Sequence, residues 1–141
     1  MLAMINITKE TSVSIDDVLH LYQAVGWTNY TNQPQMLEQS LAHSLAIYVA
    51  RDGEEIVRLV RLVGDGFSSV FVQDLIVLPS YQRQGIGSDL MKEALGDFKD
   101  AYQVQLATEQ TEKILGFYRS LGFEILSTYD CTGMIWVERK K

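Results

Sequence analysis

The chain has 141 residues, a net charge of −6 and 47% hydrophobic residues, which suits one domain spanning 1–141 with a single core. The acidic balance argues against nucleic-acid binding, which needs clustered Lys and Arg; it either mildly favours a cationic small substrate or merely keeps a soluble protein dispersed. No apolar run approaches the ~20 residues of a membrane helix, the opening MLAMINITKE has no basic-then-apolar leader, and the single Cys131 can form no internal disulfide, so the expectation is a cytoplasmic protein that keeps away from membranes.

In chain order, Met4 to Thr8 alternates and predicts a first strand. Ser14-Ile15-Asp16-Asp17 has the shape of a capping box. Ile15, Val18, Leu19 and Tyr22 follow at helical spacing, and Gly26 ends that helix. Pro34 opens a second helix carrying Met36, Leu37 and Leu41. Leu45 to Ala50 and Ile56 to Val63 predict paired strands across an Asp52-Gly53 turn. Gly64-Asp65-Gly66 turns the chain into another strand, Ser69 to Leu78, which ends at Pro79. Beyond Gly85, the residues Ile86, Leu90, Met91, Ala94, Leu95 and Phe98 share one helical face. Tyr102 to Ala107 predicts a buried strand. Thr111 caps a helix bearing Ile114, Leu115, Tyr118 and Leu121, with Gly122 as its stop. Phe123 to Leu126 and Gly133 to Val137 read as two closing strands. The resulting class is α/β (α+β), in the order β-α-α-β-β-β-α-β-α-β-β. It is a mixed, largely antiparallel sheet of about seven strands with about four helices on its faces.

Chemistry concentrates where the Ser69–Leu78 strand meets the following helix, at Gln82-Arg83-Gln84-Gly85-Ile86-Gly87-Ser88. Main-chain N–H groups at a helix N-terminus are unpaired and carry partial positive charge. Glycines let that backbone approach a phosphate. Gln82 and Gln84 add neutral donors, Arg83 a bidentate cation and Ser88 a hydroxyl. The bland alternative is a tight strand-to-helix turn. A dinucleotide fingerprint needs a further glycine at position 90, where Leu stands. A P-loop needs Gly-Lys-Ser/Thr, which is absent.

The stretch Val77-Leu78-Pro79-Ser80-Tyr81-Gln82-Arg83-Gln84-Gly85-Ile86-Gly87 resembles the Gln/Arg-x-x-Gly-x-Gly/Ala cofactor signature of GNAT superfamily N-acetyltransferases of the small single-domain bacterial type. Leu115-Gly116-Phe117-Tyr118-Arg119-Ser120-Leu121-Gly122-Phe123-Glu124 is similar to that family's second signature. One helix and one strand separate the two, as in the family, so the resemblance spans nearly the whole chain. It implies the GNAT-like acyl-CoA N-acyltransferase fold, acetyl-CoA as acetyl donor, no metal, and direct attack of a primary amine of a small molecule or peptide on the thioester. Homodimers are common in such folds, so a homodimer is a further expectation. The alternative is a non-catalytic acyl-CoA-binding or regulatory module of the same fold.

Direct transfer needs a deprotonated amine, a stabilised oxyanion and a proton for the leaving thiolate. An alkyl amine ordinarily titrates near ~10 and a thiol near ~8.5, so both protons matter at neutral pH. Tyr118 matches the family's tyrosine that protonates the thiolate; the alternative is a core aromatic. By resemblance, main-chain N–H groups at Leu75-Ile76-Val77 serve the oxyanion and pair with the pantetheine arm. Their side chains are equally suited to the core. Asp74, in an otherwise apolar strand, is the candidate base and a substrate contact; alternatively it pairs with Arg58 or Arg61. Glu109 and Gln110 stand where relatives often carry Asn for pantetheine, a departure in which Gln110 or Thr111 substitutes. Arg58 departs too, since many relatives have a small residue in that strand. Trp27 and Tyr30, between the first two helices, are candidate acceptor contacts by stacking or cation–π attraction, or else a lid over the core. The family's small bacterial and plastid members that acetylate arylalkylamines show a similar pattern. His20, His43 and Cys131 show no metal-ligand or nucleophile spacing.

Overall fold

The computed structural model describes residues 5–82 and 86–137, and of Ile86 only the backbone. The chain divides into two compact units, Met1–Leu106 and Ala107–Lys141.

The first unit is built on a five-stranded sheet. Its elements are β1 (Ile5–Glu10), α1 (Ile15–Ala24), a short α2 (Thr28–Thr31), α3 (Pro34–Ala42), β2 (Ala46–Asp52), β3 (Glu55–Gly64), β4 (Ser69–Val77), a 3-10 turn (Pro79–Tyr81), α4 (Ile86–Asp97) and β5 (Gln103–Leu106). The strands lie in the order β1-β2-β3-β4-β5. β1 to β4 are antiparallel neighbours, and β5 returns parallel to β4 after the α4 crossover. Local chemistry sets these boundaries. The Ser14 side chain accepts from Asp16 N–H at 3.2 Å and opens α1. Pro34 supplies the first turn of α3, where its missing N–H costs nothing. Gly53, at φ +64°, closes the β2–β3 turn in a conformation that side chains resist.

Strand alternation sorts the side chains onto two faces. Ile47, Val49, Ile56, Leu59 and Ile76 pack with Val18, Leu21 and Tyr22 of α1, with Tyr30 of α2, and with Leu37 and Leu41 of α3. Tyr48 points the other way, and its hydroxyl donates to Asp97 Oδ2 of α4 at 2.6 Å. The helices therefore cover both faces: α1 to α3 on one, α4 on the other.

The second unit holds α5 (Glu112–Ser120) and a 3-10 turn (Leu126–Tyr129). The Thr111 hydroxyl caps α5, accepting from Ile114 N–H at 3.3 Å. Tyr118 packs edge-on to Phe117 and Phe123, with ring centroids 5.1 and 5.8 Å away.

The mixed, largely antiparallel class stands, but among the described residues the sheet has five strands rather than about seven, and α2 makes a fifth helix. Neither closing strand forms. Leu126–Tyr129 winds into a 3-10 turn that ends at Asp130, in the left-handed region at φ 58°. Residues 131–137 are irregular and exposed. Apolar alternation is necessary for a strand but not sufficient, because backbone groups also need a ladder. Among the described residues no strand pairs with Gly133–Val137. The first predicted strand begins at Ile5; Met4 lies outside the described residues.

Candidate active site

β4 is nine residues long, but its parallel ladder with β5 covers only Ser69↔Gln103 to Val72↔Leu106. On the other side its pairing with β3 continues to Arg58↔Val77. Leu75, Ile76 and Val77 therefore run on past the β4–β5 ladder, with one edge that no described strand pairs. Ile76 faces the core, whereas Leu75 and Val77 are half-buried. An unpaired strand edge offers N–H and C=O groups to an extended polar ligand.

That edge leads directly to the α4 N-terminus. Leu78 N–H donates to Val57 C=O at 3.0 Å, and Tyr81 N–H to Leu78 C=O at 2.8 Å, which turns the chain out of the sheet. The Gln82 amide donates to Val77 C=O at 3.2 Å. Gly87 and Ser88 lie in the first turn of α4 and are half-buried. Arg83, Gln84 and Gly85 lie outside the described residues, as does the Ile86 side chain.

On the face covered by α1 to α3, Asp74 is 2% exposed and the centre of a polar network. Its Oδ2 accepts from Arg61 Nε at 2.7 Å and from the Tyr22 hydroxyl at 2.8 Å. Its Oδ1 accepts from the Tyr30 hydroxyl at 2.9 Å. Arg61 Nη2 also donates to the Tyr30 oxygen at 3.0 Å, and Nη1 to Ser44 Oγ at 3.3 Å. Of the two arginines open to Asp74 from the sequence, Arg61 is the partner, since it is the direct register neighbour. Burial, and then the Asp74 charge, push the Tyr22 and Tyr30 phenols well up. Burial pulls the Arg61 guanidinium down, but Asp74 more than offsets it and the net direction is up. Trp27 joins the network through its ring, 6.1 Å from Tyr22 and 6.2 Å from Tyr30. The sequence placed Tyr22 at helical spacing and gave its hydroxyl no role. The available signal was that a tyrosine at a core position must find a partner for its O–H.

Arg58 lies on the opposite face of β3, three residues before Arg61. It is fully buried, and its Nε, Nη1 and Nη2 have no hydrogen-bond partner among the described residues. Burial pulls the guanidinium down to about 10, against smaller upward effects from Asp89 and Tyr81.

In the second unit, burial pushes the Tyr118 phenol up. No hydrogen bond engages its hydroxyl among the described residues. The phenol holds its proton at neutral pH and can serve as a hydrogen-bond donor. Gln110 and Thr111 sit in the exposed stretch before α5. Trp27, Tyr30 and Asp74 are thus brought together in one place, and Leu75–Val77, Gln82, Gly87 and Ser88 follow one another along β4 into α4.

Comparisons with known proteins bear on the family and the fold. The family profile of the acetyltransferase (GNAT) domain matches residues 43–125. A solved GNAT family acetyltransferase of Streptococcus pneumoniae TIGR4 is 76% identical with a TM-score of 0.90, covering 96% of this chain and 99% of that one. A GNAT family acetyltransferase of Elizabethkingia anophelis, solved with acetyl-CoA bound, is 22% identical with a TM-score of 0.63, covering 94% of this chain and 88% of that one. A rice protein, serotonin N-acetyltransferase 2, chloroplastic, is 26% identical over 117 residues, 80% of this chain and 58% of the relative. The chain spans less than two thirds of the length of such plastid relatives, at 65% and 58% for two of them. With the domain profile covering more than half of the sequence, the chain belongs to the GNAT family of acetyltransferases.

Proposed function

We propose that the chain moves the acetyl group of acetyl-CoA to a primary amine of a small molecule or peptide, by direct attack within a ternary complex. The observation that carries this reading is the open edge of β4 at Leu75–Val77, running straight into the α4 N-terminus. An extended pantetheine arm suits that edge, and a diphosphate suits the helix N-terminus. Gln82, Arg83, Gln84, Gly85, Ile86, Gly87 and Ser88 are assigned to the diphosphate, and Gln110 to pantetheine. Acetyl-CoA bound to the Elizabethkingia neighbour supports the donor.

In the proposed reaction the amine nitrogen forms a bond to the thioester carbon. Main-chain N–H groups along Leu75–Val77 stabilise the oxyanion. The carbon–sulfur bond then breaks, and Tyr118 supplies the proton that the thiolate takes up. The role rests on a phenol that holds its proton at neutral pH and can pass it as charge develops on the departing sulfur; burial, by raising the phenol, makes it the weaker acid and works against early transfer. Both Asp74 oxygens are engaged by Arg61, Tyr22 and Tyr30. Asp74 is accordingly assigned to holding Tyr30 in place, and the proton lost by the amine leaves through water. Trp27 and Tyr30 are assigned to the acceptor. Aromatic faces attract an alkylammonium or stack on an aryl group, and the rice relative's name gives an arylalkylamine as a precedent.

The test is release of coenzyme A thiol from acetyl-CoA in the presence of an amine panel that includes serotonin, polyamines and peptides. Amine-dependent release supports the reading. Tight acetyl-CoA binding by calorimetry, with no transfer to any amine, would instead favour the non-catalytic acyl-CoA-binding module.

A further inference from the structure

Two arginines of β3 are buried, and only one of them is answered. Arg61 meets Asp74, Tyr30 and Ser44. Arg58 is wholly buried with all three guanidinium nitrogens unpartnered among the described residues. A buried charge without a partner is among the costliest groups a fold can carry. A residue such as methionine would fill the same space without that cost.

Its place in the fold indicates what answers it. Arg58 is the register neighbour of Val77, the last residue of β4, where the chain leaves the sheet for α4. It lies on the face covered by α4, opposite the Asp74 network. The charge that acts on it is that of Asp89, in the first turn of α4, joined only at high pH by ionised Tyr81 in the 3-10 turn before α4. Neither hydrogen-bonds it; the Tyr81 hydroxyl is committed to Asp52 Oδ2 at 2.5 Å. An unanswered cation thus stands beneath the N-terminus of a helix of 12 residues, whose own dipole is positive at that end. The Asp89 carboxylate acts on the guanidinium without bonding it, so its three donor nitrogens stay unspent where the helix dipole is also positive, which describes a site prepared for a further anion.

We infer that Arg58 is the buried counter-charge of the cofactor diphosphate, a positioning residue that acts from beneath the α4 N-terminus rather than from the surface. The inference rests on the acetyl-CoA reading above and adds to it a residue outside the loop signature. In a low-dielectric interior such a charge acts across several ångströms without direct contact.

The test pairs ligands that differ in their phosphates. Coenzyme A and pantetheine are titrated into wild type, Arg58→Met, Arg58→Gln and Arg58→Lys by calorimetry, and thermal midpoints are read without ligand. Arg58→Met should weaken coenzyme A binding about ten- to a hundredfold. It should leave pantetheine affinity unchanged and raise the midpoint of the ligand-free protein by several degrees. Arg58→Lys should bind coenzyme A much as wild type does. A folded Arg58→Met with wild-type coenzyme A affinity would overturn the inference and leave the acetyltransferase reading intact. Failure of both Arg58→Met and Arg58→Gln to fold, with Arg58→Lys folded, would also overturn it, since the cation would then serve the fold. Absence of coenzyme A binding by wild type would overturn both.

Discussion

Asp74 and Tyr118 show how burial gives two titratable side chains different work. Asp74 spends both oxygens on three donors within the α1–α3 face. Removing one member of a buried ion pair leaves the other uncompensated, at about 3–5 kcal/mol. Asp74→Asn should therefore lose about 3 kcal/mol of stability in urea unfolding. The positioning role predicts that its remaining folded fraction shows a raised KM for the amine and an unshifted pH profile for kcat; loss of the acidic limb from that profile would restore Asp74 as the base. Tyr118 has no such hydrogen-bond partners among the described residues. Tyr118→Phe should lower kcat about a hundredfold, as for other general acids, with acetyl-CoA affinity nearly unchanged in calorimetry. Equal loss of both would mark it as a packing residue. The sequence exposed Asp74 because a carboxylate in Phe71-Val72-Gln73-Asp74-Leu75-Ile76-Val77 breaks an apolar run. It did not reveal which arginine lay opposite. That depended on the β3–β4 register, and the register shift between Arg61 and Leu62 is not written in residue type.

At the scale of elements, turn chemistry was the most legible feature. Asp52-Gly53 and Gly64-Asp65-Gly66 fix the β2–β3–β4 meander, and both turns stand where the sequence puts them. Their glycines are not equivalent. Gly53, at φ +64°, has open space where a Cβ would go, so only backbone conformation opposes a side chain. Gly64, at φ +127°, would drive a Cβ into the Ser69 carbonyl oxygen. Gly53→Ala should cost about 1 kcal/mol. Gly64→Ala should cost about 2 kcal/mol or more, because conformational strain and a backbone clash combine. Urea midpoints of the two variants measure the difference directly. The same local signals failed at the C-terminal end. Phe123–Leu126 and Gly133–Val137 carry strand-like composition, but pairing is a long-range property. The short α2 was missed for the converse reason: Thr28-Asn29-Tyr30-Thr31 has low helix propensity, and packing of Tyr30 into the core holds it.

Across the whole molecule, the buried phenols set the response to alkaline pH. Tyr22, Tyr30 and Tyr48 of the first unit and Tyr118 of the second all have their ionisation pushed above the ordinary value near 10, with burial as the largest cause in each. An unfolded phenol loses its proton near ~10, while the folded one still holds it. Above that pH the native state binds more protons than the unfolded state, so stability falls as pH rises. Arg58 works in the opposite direction: with its guanidinium pulled down to about 10, the unfolded chain binds that proton more tightly and stability rises with pH. Tyr81, Tyr129 and Arg61 are raised as well, so Arg58 stands alone against them and the net slope is negative. Tyr22, fully buried beside Asp74, should contribute up to ~1.4 kcal/mol per pH unit. Urea unfolding between pH 8 and pH 11 should therefore show wild type losing stability from about pH 10 upward. Tyr22→Phe, which lacks the titrating group, should start lower at pH 8 for want of its bond to Asp74, yet decline less steeply. Parallel curves for the two proteins would mean that the phenol ionises as readily inside the fold as outside it, and the network around Asp74 would then be open to water.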